Sequence, residues 1–381
     1  MFEEITNFIK KTYKTDEFIS LHEPRFIGNE KKYLNECVDS TFVSSVGKYV
    51  NDFEEMIAGF SGTKYAVATS NGTSALHVGL KLLGADESSE VITQSLTFIA
   101  TVNAIKYCNS DPVFIDVDID TLGLSPSKLS EFLKTETTIN KKGDCINKST
   151  KKIIKACVPM HTFGHPCRID EIVEICNKYN ISVLEDAAES LGSYYKKKHT
   201  GSYGKIGTFS FNGNKIITTG AGGMLVTNDK NIAEKAKHIT TTSKVPHAYE
   251  FIHDEIGYNF RLPNISAALG VAQMENIETF LVNKRELAYK YIEFFINTDI
   301  SCISEPKYAK SNYWLNAIIL KDKYTRDSFL KYSNDNDVMT RPIWKLMNKL
   351  EMFKHYQTAN LDNSKWLEDR VVNIPSSVLV K

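Results

Sequence analysis

The stretch 206-IGTFSFNGNKIITTGAGGMLVTND-229 sets the architecture of this chain. Two short apolar runs within it, 207-GTFSF-211 and 223-GMLVT-227, read as strands, and between them lies a loop of Asn, Gly and Thr that carries one lysine, Lys215. Upstream, 181-ISVLE-185 is another strand and runs straight into Asp186. The same pattern extends towards the N-terminus. Strands at 65-YAVAT-69, 90-EVIT-93, 112-PVFIDV-117 and 152-KIIKACV-158 alternate with helical stretches over 73–84, 97–107, 125–134 and 168–180. Such alternation predicts an α/β fold with a mostly parallel, seven-stranded sheet covered on both faces.

Alternation fades after residue 230. A long helical segment over 264–295, strands around 313-YWLNAIIL-320 and a loop 338-VMTRPIWKLM-347 then predict a smaller C-terminal α+β domain. The expected division is an N-terminal helical arm over 1–21, a large domain over 22–263 and a small domain over 264–381. A chain of 381 residues suits such a pair of domains.

Forty-six basic residues balance 46 acidic ones, so no global field favours nucleic acid, and none is expected as a partner. Seven scattered cysteines without a C-x-x-C pair argue against a disulfide framework and for a reduced, cytoplasmic protein. The first 23 residues carry early acidic groups and read as an amphipathic helix rather than a signal peptide. No apolar run approaches the ~20 residues that cross a bilayer, so no membrane association is expected.

Every candidate for chemistry falls at the carboxyl end of a strand, where open α/β sheets bind their ligands. Gly72 and Thr73 stand at a strand-to-helix turn, where free N–H groups and the helix dipole would face a phosphate; an ordinary capped turn is the alternative. Asp186 ends a strand expected to be buried, so its carboxylate needs a cationic or hydrogen-bonding partner, unless it simply caps the next helix. Phe98 is placed to lie on an aromatic ring, and Ser210 to reach the same phosphate. An isolated lysine is usually solvated. In this company Lys215 is placed to form a Schiff base, with Asp186 on a ring nitrogen, and together they propose pyridoxal 5'-phosphate. His161 and His165 in 159-PMHTFGHP-166 lack a helix and a ligand set, so no metal is expected, and His161 is taken as a polar contact to substrate.

The segments 70-SNGTSALHVGL-80, 96-LTFIATVNAI-105, 184-LEDAAESLGS-193, 209-FSFNGNKIITTGAGGML-225 and 257-GYNFRLPNISAALGVAQME-275 resemble, in order, the motifs of the DegT/DnrJ/EryC1/StrS nucleotide-sugar aminotransferases. The resemblance implies a fold type I, aspartate aminotransferase-like enzyme that uses pyridoxal phosphate as a homodimer with shared active sites. Carried over by position, Lys215 would hold the cofactor and Asp186 its pyridine nitrogen, with Phe98 stacked on the ring and Ala188 beneath it. Thr73, Ser74 and Ser210 would bind the phosphate, with Asn259 reaching it from the other subunit, and Glu189 would lie near the sugar. Ala221 departs from the family's usual Glu or Gly, and altered loop packing is expected there. Within the family, 21–50 and 338–353 look most like transaminases of the legionaminic acid and bacillosamine routes. That likeness implies L-glutamate as donor and C4 of a UDP-4-keto-6-deoxy-N-acetylhexosamine as acceptor, with Arg25, Arg341 and Trp344 as substrate contacts.

Overall fold

The β-rich runs form the seven strands expected of them in a computed structural model that describes residues 1–379. They are β1 (Tyr65–Thr69), β2 (Ser89–Gln94), β3 (Asp111–Ile115), β4 (Ile153–Val158), β5 (Ser182–Asp186), β6 (Ile206–Ser210) and β7 (Gly223–Thr227). Their spatial order is β1-β7-β6-β5-β4-β2-β3. A ribbon of Thr137–Ile139 and Cys145–Asn147 hangs from β4 and brings the sheet to nine strands. Each strand of this ribbon is only three residues long, too short for alternation to mark it in the sequence.

Neighbours along the seven-strand path are parallel except at β7, which runs antiparallel to both β1 and β6. The reason is the Lys215 loop. A parallel return needs a crossover that carries the chain back over a face of the sheet. The loop from 211 to 222 contains no helix, so β7 enters from the edge that β6 has just left. The lysine is thereby presented at the carboxyl ends of β1, β5 and β6.

The helical segment expected over 264–295 is two helices, Asn264–Met274 and Ile277–Phe295, broken at Glu275 and Asn276. Asn276 bonds back through its side-chain amide to Ala272 O at 3.1 Å, the local competition that ends helices at Asn. The break lets the two halves face different cores. Ala267, Ala268 and Val271 pack with Phe53 and Phe211 beside the Lys215 loop. Leu287, Tyr291 and Phe295 pack instead with Ile5 and Ile9 of the N-terminal helix Phe2–Tyr13 and with Ile318 and Phe329.

Near the C-terminus a four-stranded antiparallel sheet runs in the order Ser301–Cys302, Asn316–Ile319, Val371–Ile374, Arg341–Pro342. The strand expected over 313–320 begins only at Asn316, because Tyr313 has a φ of 50°, a left-handed turn no strand accommodates. That turn aims Trp314 and Leu315 at the carboxyl edge of the large sheet. No helix among the described residues is long and apolar enough to cross a membrane.

Candidate active site

Between the carboxyl edge of the large sheet and the C-terminal sheet lies a cavity of about 640 Å³. Lys215, Asp186, Glu189, Trp314 and Arg341 are among its lining residues.

Lys215 is held on three sides. Its backbone N–H closes a turn onto Asn212 O at 3.0 Å, and Trp314 Nε1 pins the same turn by donating to Asn214 O at 2.6 Å. Its Nζ lies 3.8 Å from the Trp314 ring centroid, a cation–π contact, and 3.3 Å from Glu189 Oε1. Only 12% of the side chain is exposed.

Asp186 closes β5 and is buried. Its Oδ2 accepts from Thr101 Oγ1 at 2.6 Å and its Oδ1 from Ala188 N at 3.2 Å. Burial pushes its carboxyl group up, against those hydrogen bonds and the attraction of Lys215. A carboxylate so placed, with no cation in direct contact, fits a ligand that brings its own N–H⁺, as a pyridinium does.

The opposite end of the cavity is a backbone cradle. Asn71 caps the helix Gly72–Leu82 by accepting Ser74 N at 2.8 Å. The N–H groups of Gly72 and Thr73, in the first turn, have no intrahelical acceptor and line the cavity, as does Ser210 from the end of β6. A Cβ on Gly72 would stand 2.9 Å from Ser210 Cβ, so glycine allows the two walls to approach. N–H groups without an intrahelical acceptor, a helix N-terminus and a hydroxyl suit a phosphate. Phe98, 47% exposed, packs edge-on against Trp344 with centroids 6.0 Å apart, and both rings line the cavity. Ala188 and Ala221 complete the wall. This donor set therefore fits pyridoxal phosphate at three points.

The remaining expected contacts lie elsewhere. Ser74 stands behind the cradle, its N–H taken by Asn71 and its hydroxyl 3.2 Å from Ser70 Oγ. Asn259 is exposed, pairs with Thr241 and accepts from Arg261 Nε at 3.2 Å, outside the cavity of its own chain. Arg25 is turned to Glu23 at 2.9 Å and Val378 O at 3.1 Å. His161, expected at the substrate, is fully buried beneath the site. Its Nε2 faces Glu185 Oε2 at 3.0 Å and its Nδ1 accepts from Cys167 N at 3.2 Å, which leaves no ring nitrogen for a ligand. Glu185 in turn accepts from the N–H groups of Gly201, Tyr203 and Gly204. The pair ties β5 to the 201–204 turn that leads into β6 rather than facing the cavity.

Thr101, Asn71 and Trp314 were not anticipated. Asn71 had a signal, as a good N-cap residue directly before the helix. Thr101 and Trp314 had none, because each reaches the site from a distant part of the chain.

Residues 24–381 match the DegT/DnrJ/EryC1/StrS aminotransferase family. The chain is similar to the GDP-perosamine synthase of Escherichia coli O157:H7, 38% identical over 362 residues covering 94% of this chain and 93% of that one. It is 35% identical to the GDP-perosamine synthase of Vibrio cholerae, covering 94% of each. Among solved structures it resembles Helicobacter pylori PseC, an aminotransferase involved in the biosynthesis of pseudoaminic acid, with a TM-score of 0.84, 25% identity and 94% of each chain covered.

Proposed function

The chain belongs to the DegT/DnrJ/EryC1/StrS aminotransferase family, and from that premise we propose that it moves the amino group of L-glutamate to the C4 ketone of a nucleotide-linked 4-keto-6-deoxyhexose. It is a nucleotide-sugar aminotransferase of fold type I that uses pyridoxal phosphate. The cofactor supplies the electron sink on which amino transfer depends.

The observation that carries the reading is the convergence of Lys215, Asp186 and the Gly72–Thr73 cradle on one cavity. Asp186 would hold the ring nitrogen and keep it protonated, with the hydrogen bonds from Thr101 and the Ala188 N–H favouring its charged carboxylate. Lys215 would hold the cofactor's reacting carbon, and its Nζ, buried between Trp314 and Glu189, would carry the proton that leaves the donor's Cα. The cradle and Ser210 would anchor the phosphate and Phe98 would pack on the ring, while Trp314 holds the Lys215 amine in the cavity.

The acceptor we propose first is a UDP-4-keto-6-deoxy-N-acetylhexosamine, giving UDP-2-acetamido-4-amino-2,4,6-trideoxyglucose. The stretches that resemble the legionaminic acid and bacillosamine enzymes supply Leu21, Arg341 and Trp344 to the cavity wall, where a sugar nucleotide would be read. A second reading, a GDP-linked 4-keto-6-deoxyhexose, has the support of the GDP-perosamine synthases at 38% and 35% identity. Absorbance separates the two. Glutamate should bleach the visible band of the holoenzyme, and the ketosugar that restores it is the substrate. A band that glutamate leaves untouched would overturn the donor assignment.

We propose further that the enzyme is a homodimer. Asn259 lies outside its own cavity, beside a loop whose Tyr249, Phe251 and Ile256 are 82%, 81% and 89% exposed, a surface suited to the partner's phosphate cradle. Sedimentation at micromolar concentration tests it, and a monomer carrying full activity would refute it. All seven cysteines are free, which is consistent with a cytoplasmic setting.

A further inference from the structure

Lys215 has an acidic neighbour closer than Asp186. Glu189 follows Asp186 on the turn after β5, and its Oε1 lies 3.3 Å from Lys215 Nζ. The carboxyl group is 3% exposed and fixed on its other side, where Oε2 accepts the Phe163 N–H at 2.9 Å. Phe163 has a φ of 56°, and this left-handed kink in the Thr162–Gly164 turn accompanies an N–H aimed at Glu189. The Glu189 carbonyl is tied to Asn312 Nδ2 at 2.9 Å. Neither the carboxyl group nor the amine, itself held by Trp314, has to move for the two to meet.

A lysine acts as nucleophile or base only when neutral, so its ammonium proton must have somewhere to go. With both groups nearly closed off from solvent, the nearest acceptor is Glu189. We propose that Glu189 is a catalytic proton partner of Lys215. Its carboxylate takes one proton from the Nζ ammonium, breaking an N–H bond and forming an O–H bond, and returns it when the amine must be protonated again. An ion pair becomes a neutral amine and a neutral acid, and no net charge leaves the cavity. The role rests on the aminotransferase activity described above.

The groups around the pair suit this exchange. Asp186 stands on the same turn and repels a second negative charge. His161 is engaged with Glu185, and His165, held neutral by burial, faces Ser311. From the C-terminal wall Arg341 and Lys345 line the same cavity. Burial, opposed chiefly by the attraction of Lys215, pushes Glu189 up to about 7, so its proton is exchangeable at neutral pH.

Two holoenzyme variants test the role. Glu189→Gln keeps the size and one acceptor oxygen but cannot titrate, whereas Glu189→Asp still titrates at shorter reach. The visible absorbance would be titrated without any amino donor, and the rate of bleaching by glutamate followed across about pH 5 to 9. We expect a step near pH 7 in both wild-type profiles, absent from Glu189→Gln and retained by Glu189→Asp. Bleaching by Glu189→Gln at neutral pH should be about 100-fold slower, the lower end of what a positioned acid–base group contributes. A Glu189→Gln enzyme with the wild-type titration and rate profile would overturn the role. So would equal slowing of both variants with unchanged pH profiles, which marks a packing defect. The titration needs no donor, so it judges Glu189 even if another amino acid proves to be the donor.

Discussion

Thr101 Oγ1 donates to Asp186 Oδ2 at 2.6 Å, and both side chains are buried. The helix after β2 thereby steadies the charge of the carboxylate that closes β5. Burial alone would favour the protonated acid, which cannot keep a pyridine nitrogen charged.

Thr101→Val keeps the shape and deletes the donor. A hydrogen bond to a charged group contributes about 1.5–3 kcal/mol, so affinity for pyridoxal phosphate should fall roughly 10- to 100-fold. Titration of apoprotein with the cofactor, followed by absorbance, measures this. An unchanged dissociation constant would show that Ala188 N–H holds Asp186 without help.

Lys215→Ala should leave the cavity able to take up pyridoxal phosphate through the cradle and Asp186 while turnover drops by at least about 1,000-fold. Equilibrium dialysis measures retention, and coupled detection of 2-oxoglutarate measures turnover. Near-normal turnover would remove Lys215 from the mechanism.

Gly223→Ala should destabilise the fold by about 2–3 kcal/mol. Its new Cβ would meet Asn71 C and Gly72 N at 2.4 and 2.6 Å, backbone atoms that cannot yield without disturbing the phosphate cradle. Gly213→Ala is the control, since nothing lies within 4 Å of a Cβ there. Urea midpoints for the two variants should differ clearly; matching midpoints would mean that the cradle relaxes freely.

Glu189 also makes apoprotein stability depend on pH. Burial raises its folded-state value from 4.5 to about 7, so the folded chain holds this proton more tightly than the unfolded one. That contribution is complete below about pH 4.5 and is lost as pH rises through about 7, a swing on the order of 3 kcal/mol. Glu189→Gln should therefore gain stability relative to wild type at pH 8 compared with pH 5. Denaturant midpoints at both values check the sign, and a constant difference would contradict it.

What the sequence discloses follows the range of each interaction. The seven strands and the helices between them were legible because a buried parallel strand must be a short apolar run and its crossover an amphipathic one. Lys215, Asp186, Gly72 and Ser210 were legible because strand ends locate them. Thr101 and Trp314 were not, since their partners lie 85 and 100 residues away and no local pattern encodes those meetings. His161 misled because a histidine near a strand end resembles a ligand-facing one until its neighbours, Glu185 and Cys167, are seen to use both nitrogens. The split of 264–295 hinged on Asn276, whose helix-breaking bond leaves apolar periodicity intact on both sides.

The place of β7 between β1 and β6 has a consequence for biogenesis. The turn that forms the phosphate cradle emerges from the ribosome early, yet its backbone is buttressed by Gly223, far downstream. A nascent chain that has not yet released β7 leaves β1 without any sheet partner and the cradle without its buttress. Cofactor capture must wait until nearly the whole large sheet has left the exit tunnel, so a ribosome stalled before Thr227 carries a chain that pyridoxal phosphate cannot rescue by binding.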